Sequence, residues 1–270
     1  MTDRRPSDRV GSEERAEFGG FEPRVAAASL SGRSDADWAL AAEQFVGAAF
    51  LGGVALDADS REAAREMVAD RDRNEFLPDD PLDWVAGQLD ALADADLHAA
   101  VNVRSTTVDP VRAAGAVCAA RGATLEVNAH CRQAELVDAG CGEALLADTD
   151  RLAEYVAAAA ATGATVSVKV RAEVDGVDLR ETARRVADAG AAVIHVDAMD
   201  SEGVVADVVD AAPSLFVVAN NGVRDARTVR EYLAYGADAV SVGRPSDTPR
   251  VLRSVRRAVD DWAAEEGQAR

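Results

Sequence analysis

The chain has 270 residues, with 48 acidic side chains against 29 basic ones and a formal net charge of −19. Its length suits one domain with a substantial core, and its charge disfavours nucleic acid and anionic membranes as partners at ordinary salt. An acidic composition that almost excludes lysine is typical of a salt-rich cytosol, where screening weakens that repulsion. From this composition we expect a halophilic, cytoplasmic protein. No apolar run of the sequence approaches transmembrane length, so we expect that the protein does not enter a membrane.

Residues 1–20 are polar, charged and poor in large apolar side chains. This composition is typical of a disordered tail rather than of a targeting segment. We therefore expect the folded domain to occupy residues 21–265.

From there the chain repeats one local pattern, a helix-like segment followed by a Gly-Ala pair and a short β-rich run. The glycine of each pair suits the left-handed position that ends a helix before a strand starts. The pairs begin at Gly47, Gly122, Gly163, Gly190 and Gly236. Amphipathic segments such as 150–161 and 179–189 lie between the predicted strands. These strands are residues 24–29, 48–54, 98–103, 124–128, 165–171, 192–197, 215–220 and 238–243. The alternation predicts an α/β fold, a (β/α)8 TIM barrel, with a doubly wound open sheet as the alternative.

Several predicted strands alternate valine with polar side chains. In the fifth strand Val166, Val168 and Val170 share one face, while Lys169 and Arg171 lie on the other. The same alternation places further polar residues inward: Asn102, Arg104, Glu126, Asn128, His195 and Asp197. If the valine faces meet the helices, the polar faces converge on the barrel axis. Their concentration toward the strand ends predicts an active-site mouth.

Lys169 is the single lysine of the chain. A sequence that keeps lysine at one inward strand position indicates chemistry that arginine cannot supply, since an ammonium is compact and a guanidinium is a broad planar fork. The three cysteines and three histidines show no metal-ligand spacing, and we expect reduced thiols and no metal site.

The stretch from Asn128 through Cys131 to Leu146, with Gly140-Cys-Gly142 inside it, resembles the flavin-dependent tRNA-dihydrouridine synthases. That family has an asparagine on strand four, then Gly-Cys-Pro, then Gly-x-Gly-x-x-Leu-Leu. Further similar motifs follow family order: Gly32-Arg-Ser-Asp35, Trp38, Asn102, Lys169-Val-Arg171, Ile194-His195, Asn220-Asn221-Gly222 and Gly243-Arg244. Single motifs are short, and it is their order and strand placement together that carry the resemblance.

The resemblance implies a TIM barrel that holds FMN at its C-terminal mouth, with NAD(P)H as the expected electron donor. It implies that the isoalloxazine and ribityl groups contact Asn102, Asn128, Lys169 and His195, with Arg171 in the same cofactor-binding set. It places the phosphate at Asn221, Gly222, Gly243 and Arg244. Glycine-rich loops after strands seven and eight are also where such barrels usually bind phosphate.

Two catalytic residues follow from the same resemblance. Lys169 would stabilise the anionic reduced flavin, and Cys131 matches the proton donor. A free thiol has a pKa of about 8.5, so it is mostly protonated at neutral pH, as an acid must be. The family has proline where Arg132 stands, and a guanidinium beside the sulfur would lower the thiol pKa. His130 stands where the family has glycine, and its role is left open.

Three functions remain open from the sequence. The first is a dihydrouridine synthase-like reduction of uridine in tRNA, although we expect the C-terminal helical domain that the resemblance implies to be missing, because one predicted helix follows the eighth strand. The second is a dihydroorotate dehydrogenase-like oxidoreductase for a small pyrimidine-like substrate. The third is a flavin- or phosphate-binding barrel without catalysis, as part of a larger assembly.

Overall fold

A computed structural model describes residues 20–71 and 74–268. All of the predicted tail except Gly20 lies outside the described residues. Within them, no helix is long and apolar enough to cross a membrane.

Eight parallel strands form a closed barrel in which each strand pairs with its neighbours in sequence and β8 pairs with β1. This confirms the predicted (β/α)8 TIM barrel rather than the open sheet. The strands are β1 (Val25–Ala27), β2 (Ala48–Ala55), β3 (His98–Arg104), β4 (Thr124–Ala129), β5 (Thr165–Arg171), β6 (Val193–Asp197), β7 (Phe216–Asn220) and β8 (Ala239–Val242).

Helices cover the outside of the barrel. They are α1 (Ala36–Ala42), α2 (Ala58–Arg71), α3 (Pro81–Ala91), α4 (Val108–Ala119), α5 (Ala134–Asp138), α6 (Glu143–Ala147), α7 (Thr149–Ala160), α8 (Leu179–Asp188), α9 (Val204–Ala211), α10 (Ala226–Ala234) and α11 (Pro249–Gln268). Several of these helices are capped at their N-termini by aspartate side chains, which accept hydrogen bonds from backbone N–H groups of the first turn. Asp80 accepts hydrogen bonds from the first turn of α3, and Asp225 forms a capping box with Thr228 at the start of α10.

The Gly-Ala pairs mark strand starts as predicted, but one glycine has another reason to be there. Gly122, Gly163, Gly190 and Gly236 have positive φ angles, which fits the left-handed helix end. Gly47 does not. An added Cβ there would lie 2.3 Å from the backbone oxygen of Pro23, so Gly47 is required by a close approach of two backbones.

The alternation of the strands divides the core into two parts. Outward residues such as Val101, Val127, Val168 and Val196 belong to the main apolar cluster, which they form with the helices. Inward residues near the strand starts form a separate apolar layer: Phe21, Ala26, Ala48, Phe50, Ala100, Val193, Phe216, Val218 and Ala239. Above this layer the inward positions are polar, as the sequence predicts.

Candidate active site

A cavity of about 850 Å³ opens at the C-terminal mouth of the barrel. The loops after five strands (β1, β4, β6, β7 and β8) and the inward side chains of β5 form its wall, which combines cationic, amide and thiol groups with backbone. Its wall includes Ser29, His130, Cys131, Arg132, Lys169, Arg171, Asp197, Asn220, Asn221, Gly222, Arg224, Gly243 and Arg244. This is the end of the barrel at which the strands of the fold direct their loops and at which its active sites are found.

Lys169 lies in the middle of the inward face of β5 and contributes to the cavity wall. Its register partners are Asn128 on β4 and His195 on β6. The residue is 2% exposed, and within the described part of the chain it makes no hydrogen bond or ion pair. A buried ammonium without a partner is costly, so the cavity presents a positive charge that is available to an anionic group.

A buried network of side chains lies beneath the cavity, with the carboxylate of Glu126 at its centre. Glu126 Oε1 accepts a hydrogen bond from Asn102 Nδ2 at 2.7 Å, and Oε2 accepts one from Ser167 Oγ at 3.1 Å. His195 Nδ1 lies 2.8 Å from the same Oε2. Burial opposes ionisation of Glu126, but His195, Lys169 and Asn102 together hold its pKa below the ordinary value.

The network continues toward β8 on the far side of His195. Burial lowers the pKa of His195, against the opposing effect of Glu126, so the imidazole is neutral and donates its Nδ1 proton to the carboxylate. Nε2 then accepts from Ser241 Oγ at 2.7 Å, and Asn220 Nδ2 donates to that hydroxyl at 2.7 Å. The donors run in one direction, from Asn220 through Ser241 and His195 to Glu126.

Cys131 is held in the turn after β4 by its neighbours. The side-chain oxygen of Asn128 accepts hydrogen bonds from the backbone N–H groups of His130 and Cys131, at 3.2 and 3.1 Å. Glu143 N donates to the carbonyl of Cys131 at 2.9 Å. Gly142 has φ +59°, and an added Cβ would lie 2.1 Å from that carbonyl oxygen. The Gly-x-Gly segment therefore packs directly against the backbone that positions the thiol.

The electrostatic surroundings of Cys131 favour its ionised form. Burial by itself would raise the pKa of the thiol. Arg104 and His130 outweigh burial and bring the thiol pKa below its ordinary value, to about 7. Arg104 ends β3, is almost fully buried, and forms an ion pair with Glu75 at 2.7 Å. The guanidinium expected to act on the thiol was that of Arg132, but Arg132 is exposed and the cation that acts is Arg104.

His130 and Asp197 form an ion pair across the same cavity wall. His130 Nε2 lies 3.1 Å from Asp197 Oδ2, with the two side chains 28% and 14% exposed. Burial lowers the pKa of His130, but Asp197 and Cys131 raise it above the ordinary value.

The opposite side of the cavity is built from the ends of β7 and β8. Asn221 has φ +93°, and its side-chain amide donates to the carbonyl of Met199 at 2.8 Å. An added Cβ at Gly222 or Gly243 would meet nothing within 4 Å, so space is open beside both. Arg244, at the start of a short 3-10 helix, and Arg224 are exposed and line the same side.

The predicted site residues fall into two groups. Those on the cavity wall are Cys131, Lys169, Arg171, Asn221, Gly222, Gly243 and Arg244. Arg171 is ion-paired with Glu143 at the start of α6. Those in the buried network are Asn102, Asn128 and His195, and their contact with a flavin stays a prediction.

Sequence reasoning did not assign Glu126, Arg104, Glu75 or Ser241 to the site. The strand alternation marks Glu126 and Arg104 as inward, and this was the signal that could have found them. Glu75 comes from the segment between α2 and α3, where no periodic pattern indicates that it reaches Arg104.

The part of the chain from β3 to α11 matches a known protein family. Residues 97–267 match the sequence profile of dihydrouridine synthase (Dus). The chain belongs to the dihydrouridine synthase family. The resemblance predicted from the sequence is thereby confirmed, and the protein is a TIM barrel of the flavin oxidoreductase type.

One relative is an uncharacterized protein of Methanocaldococcus jannaschii, 24% identical over 243 residues, with 84% of this chain and 91% of the relative covered. A solved structure with a similar fold is DHODH of Eimeria tenella in complex with ferulenol, at a TM-score of 0.64 and 15% identity, covering 90% of this chain and 82% of that one. Another is the tryptophan synthase complex of Pyrococcus furiosus, at a TM-score of 0.56 and 14% identity, covering 89% and 98%. At these identities the two structures show the fold alone.

The residues around the cavity fit a flavin nucleotide. The unpaired ammonium of Lys169 suits the electron-rich edge of a reduced ring, and the guanidinium groups of Arg224 and Arg244 suit a phosphate. The open space beside Gly222 and Gly243 permits close approach of a ligand to the backbone. Among the described residues, no group of histidine, cysteine or acidic side chains is arranged to hold a metal ion.

Proposed function

We propose that this protein is an FMN-dependent oxidoreductase that acts on a pyrimidine C=C bond, in the manner of uridine reduction to dihydrouridine. The observation that carries the proposal is that the Cys131 thiol and the unpaired Lys169 ammonium line one cavity, together with the loops after β7 and β8. FMN, when bound, would supply the hydride chemistry, with NAD(P)H as electron donor. The protein's own residues would hold the cofactor, orient the substrate and provide the proton.

Lys169 would lie against the ring system, and its charge would favour the reduced anion. Two unit charges at about 4 Å interact by roughly 4 kcal/mol at an effective dielectric constant near 20. The phosphate would be held by the backbone at Gly222 and Gly243 and by Arg244. Asn102, Asn128 and His195, ordered by Glu126, support the cavity floor from which the ring would be contacted.

Cys131 would deliver the proton to the substrate carbon from Sγ. Its turn is fixed by Asn128, and its side chain lies on the wall of the cavity that also contains Lys169. A group whose pKa lies near the working pH is suited to general acid catalysis, because both of its protonation states are accessible.

Besides Arg244, which would hold the cofactor phosphate, two further arginines at the mouth, Arg132 and Arg224, favour an anionic substrate such as a uridine in RNA. Arg132, Arg224 and Arg244 line the cavity, and none forms a salt bridge with another described residue. Most other arginines of this acidic protein pair with carboxylates, for example Arg180 with Asp207. Unpaired guanidinium groups at one opening are suited to phosphate oxygens. A free pyrimidine remains the second candidate, because the cavity volume of about 850 Å³ accommodates small ligands.

The experiment has two parts. Purified protein is first titrated with FMN and followed by flavin absorbance. A chain that takes up no flavin would exclude both enzymatic candidates. Dihydrouridine is then quantified by mass spectrometry in tRNA from a deletion strain and from strains complemented with the wild type, Cys131→Ala or Cys141→Ala.

We expect loss of dihydrouridine in the deletion and Cys131→Ala strains and its recovery with Cys141→Ala. Cys141 is the matched control because it is buried near Cys131 but is not part of the cavity wall. Unchanged dihydrouridine in the deletion strain, with flavin still bound by the purified protein, would favour a small-molecule substrate instead.

A further inference from the structure

We propose that His130 and Cys131 act together as one acid in the cavity, sharing a proton between Nδ1 and Sγ, with Asp197 as the residue that positions the imidazole. The role of this pair as an acid rests on the proposed function, whereas the proton sharing itself does not. His130 would be the catalytic partner of the thiol, and Asp197 would act only through His130.

The hydrogen bonds of the histidine leave one nitrogen for the thiol. Nε2 lies 3.1 Å from Asp197 Oδ2, so that nitrogen carries a proton and donates it to the carboxylate. The other nitrogen, Nδ1, is buried and has no hydrogen-bond partner within the described residues. The neighbouring residue in the chain is Cys131, and both side chains line the cavity. Nδ1 is therefore the ring atom available to exchange a proton with Sγ.

The turn that contains the pair is held rigidly. Asn128 Oδ1 accepts hydrogen bonds from the N–H groups of both residues, and Glu143 N donates to the carbonyl of Cys131. Met199 N donates to Asp197 Oδ1 at 3.2 Å, which leaves Oδ2 directed at His130. The pair is thus fixed from the backbone side as well as through its side chains.

The charges around the pair keep the shared proton available. The groups that act on the two residues come from separate elements: Arg104 from β3, Glu75 from the segment before α3, Lys169 from β5, and His195 and Asp197 from β6. Arg104 and Asp197 favour a thiolate beside an imidazolium, while Lys169 opposes the imidazolium. The pKa of the Cys131 thiol is thereby lowered and that of the His130 imidazole raised, because each charged form stabilises the other.

The proton balance of the step is simple. The proton on Nδ1 moves to Sγ, and the S–H bond then breaks as the proton passes to a substrate carbon that has become basic. The pair ends as a thiolate beside a neutral imidazole that still donates from Nε2 to Asp197. One proton taken from solvent through the open cavity restores the starting state.

The test measures the titration of the Cys131 thiol directly in the wild type and in three variants. Full-length wild type, His130→Gln, Asp197→Asn and His98→Gln are alkylated with iodoacetamide across pH 5 to 9, and modification is quantified peptide by peptide. Cys118 and Cys141 serve as internal controls, since burial raises both of their pKa values to about 12. His98→Gln is the matched control, because His98, at the start of β3, is hydrogen-bonded to Thr124, at the start of β4, and is not part of the cavity wall.

For the wild type we expect an alkylation midpoint of about 7. In His130→Gln it should rise by roughly 1 pH unit or more, because a neighbouring cation is lost. Asp197→Asn should raise it by less, and His98→Gln should leave it unchanged. A midpoint in folded His130→Gln that equals the wild-type value would overturn the proposal and assign the whole effect to Arg104.

A second measurement serves if His130→Gln does not fold. The three histidine rings are titrated by NMR in the wild type and in Cys131→Ser. Because coupling between two titrating groups is reciprocal, the midpoint of His130 should fall when the thiolate is removed. An unchanged His130 titration would overturn the proposal.

Neither measurement depends on uridine reduction. A coupled pair in a protein that makes no dihydrouridine would overturn the proposed function alone. An uncoupled pair in an active enzyme would overturn this proposal alone.

Discussion

The lower and upper halves of the barrel interior are built by the same strands and differ in almost every physical respect. The lower half contains alanine, valine and phenylalanine, with Phe50 and Phe216 filling the space that small residues leave. The upper half contains the carboxylate of Glu126, the ammonium of Lys169 and the imidazole of His195, on the consecutive strands β4, β5 and β6. On β6, for example, the inward Val193 packs in the apolar layer, and the next inward residue, His195, belongs to the polar network.

The comparison shows how stability and function are distributed along the strands. Burial of apolar surface stabilises the lower half without any directional requirement. The upper half must satisfy each buried polar group, and Glu126 does so by accepting from three donors at once. Lys169 is left without a partner within the described residues, which is where the cavity begins.

The largest effect should come from breaking the centre of the polar half with Glu126→Gln. An amide there would oppose donors with a donor and leave the charge of Lys169 uncompensated, so we expect the free energy of unfolding to fall by about 4 kcal/mol. Urea unfolding measures it, with the exposed Glu154→Gln on α7 as control. An effect no larger than that of the control would contradict the central role of Glu126.

The same variant should also change the pH dependence of stability. The folded pKa of Glu126 lies below its ordinary value of 4.5. Its stabilising contribution is therefore complete above that value and is lost as pH falls through the folded pKa. Between neutral and acidic pH the wild type should lose more stability than Glu126→Gln, and parallel curves would refute the assignment of an ionised carboxylate.

Phe50→Ala tests the apolar half in the same way. The ring is 3% exposed and its centroid lies 4.8 Å from that of His195, so it packs at the boundary between the two halves. Truncation of a buried phenylalanine costs about 3 kcal/mol or more through lost burial and the remaining cavity. Leu40→Ala is the control, since Leu40 is 41% exposed on α1. We expect urea unfolding at lower concentration with flavin affinity unchanged, and a loss of flavin affinity would contradict the separation of the two halves.

The sequence predicts the two halves unequally. The Gly-Ala pairs and alternating valines are local patterns, and together they mark β2 to β6, β8 and the inward face of β5. The hydrogen bonds of Glu126 depend on register across β3 to β6, which no local pattern specifies. Nor does any local signal bring Arg104 and Glu75 together beside Cys131. The motif order identified the family, but it could not show that Asn102 and Asn128 are hydrogen-bonded to one another.

Gly142→Ala tests whether the Gly-x-Gly segment holds the thiol in the polar half. An alanine there would have an unfavourable φ, and its Cβ would collide with the carbonyl of Cys131. We expect the free energy of unfolding to fall by about 3 kcal/mol and the alkylation of Cys131 to become slower. Gly163→Ala is the matched control: its φ is +84°, but nothing lies within 4 Å of an added Cβ. Its cost should be only the conformational one, about 1 kcal/mol. Equal losses in urea unfolding would show that the contact with Cys131 is unimportant.

The smallest effect on stability should come from Lys169→Met, although this variant should have the largest effect on ligand binding. Within the described residues the ammonium makes no hydrogen bond or ion pair to offset the cost of its burial, and its attraction to Glu126 offsets only part of that cost. Methionine fills a similar volume, so we expect the free energy of unfolding to change by less than about 1 kcal/mol. Flavin affinity should fall by roughly tenfold or more, which corresponds to about 1.4 kcal/mol.

Arg257→Met supplies the matched control, since Arg257 is exposed and outside the cavity wall. It removes one positive charge from the same acidic protein without changing the site. If both variants bind FMN equally well in an absorbance titration, net charge and not position governs binding, and Lys169 has no special role. If Lys169→Met alone loses flavin while keeping its stability, the charge that the fold leaves unpaired is the one that the ligand requires.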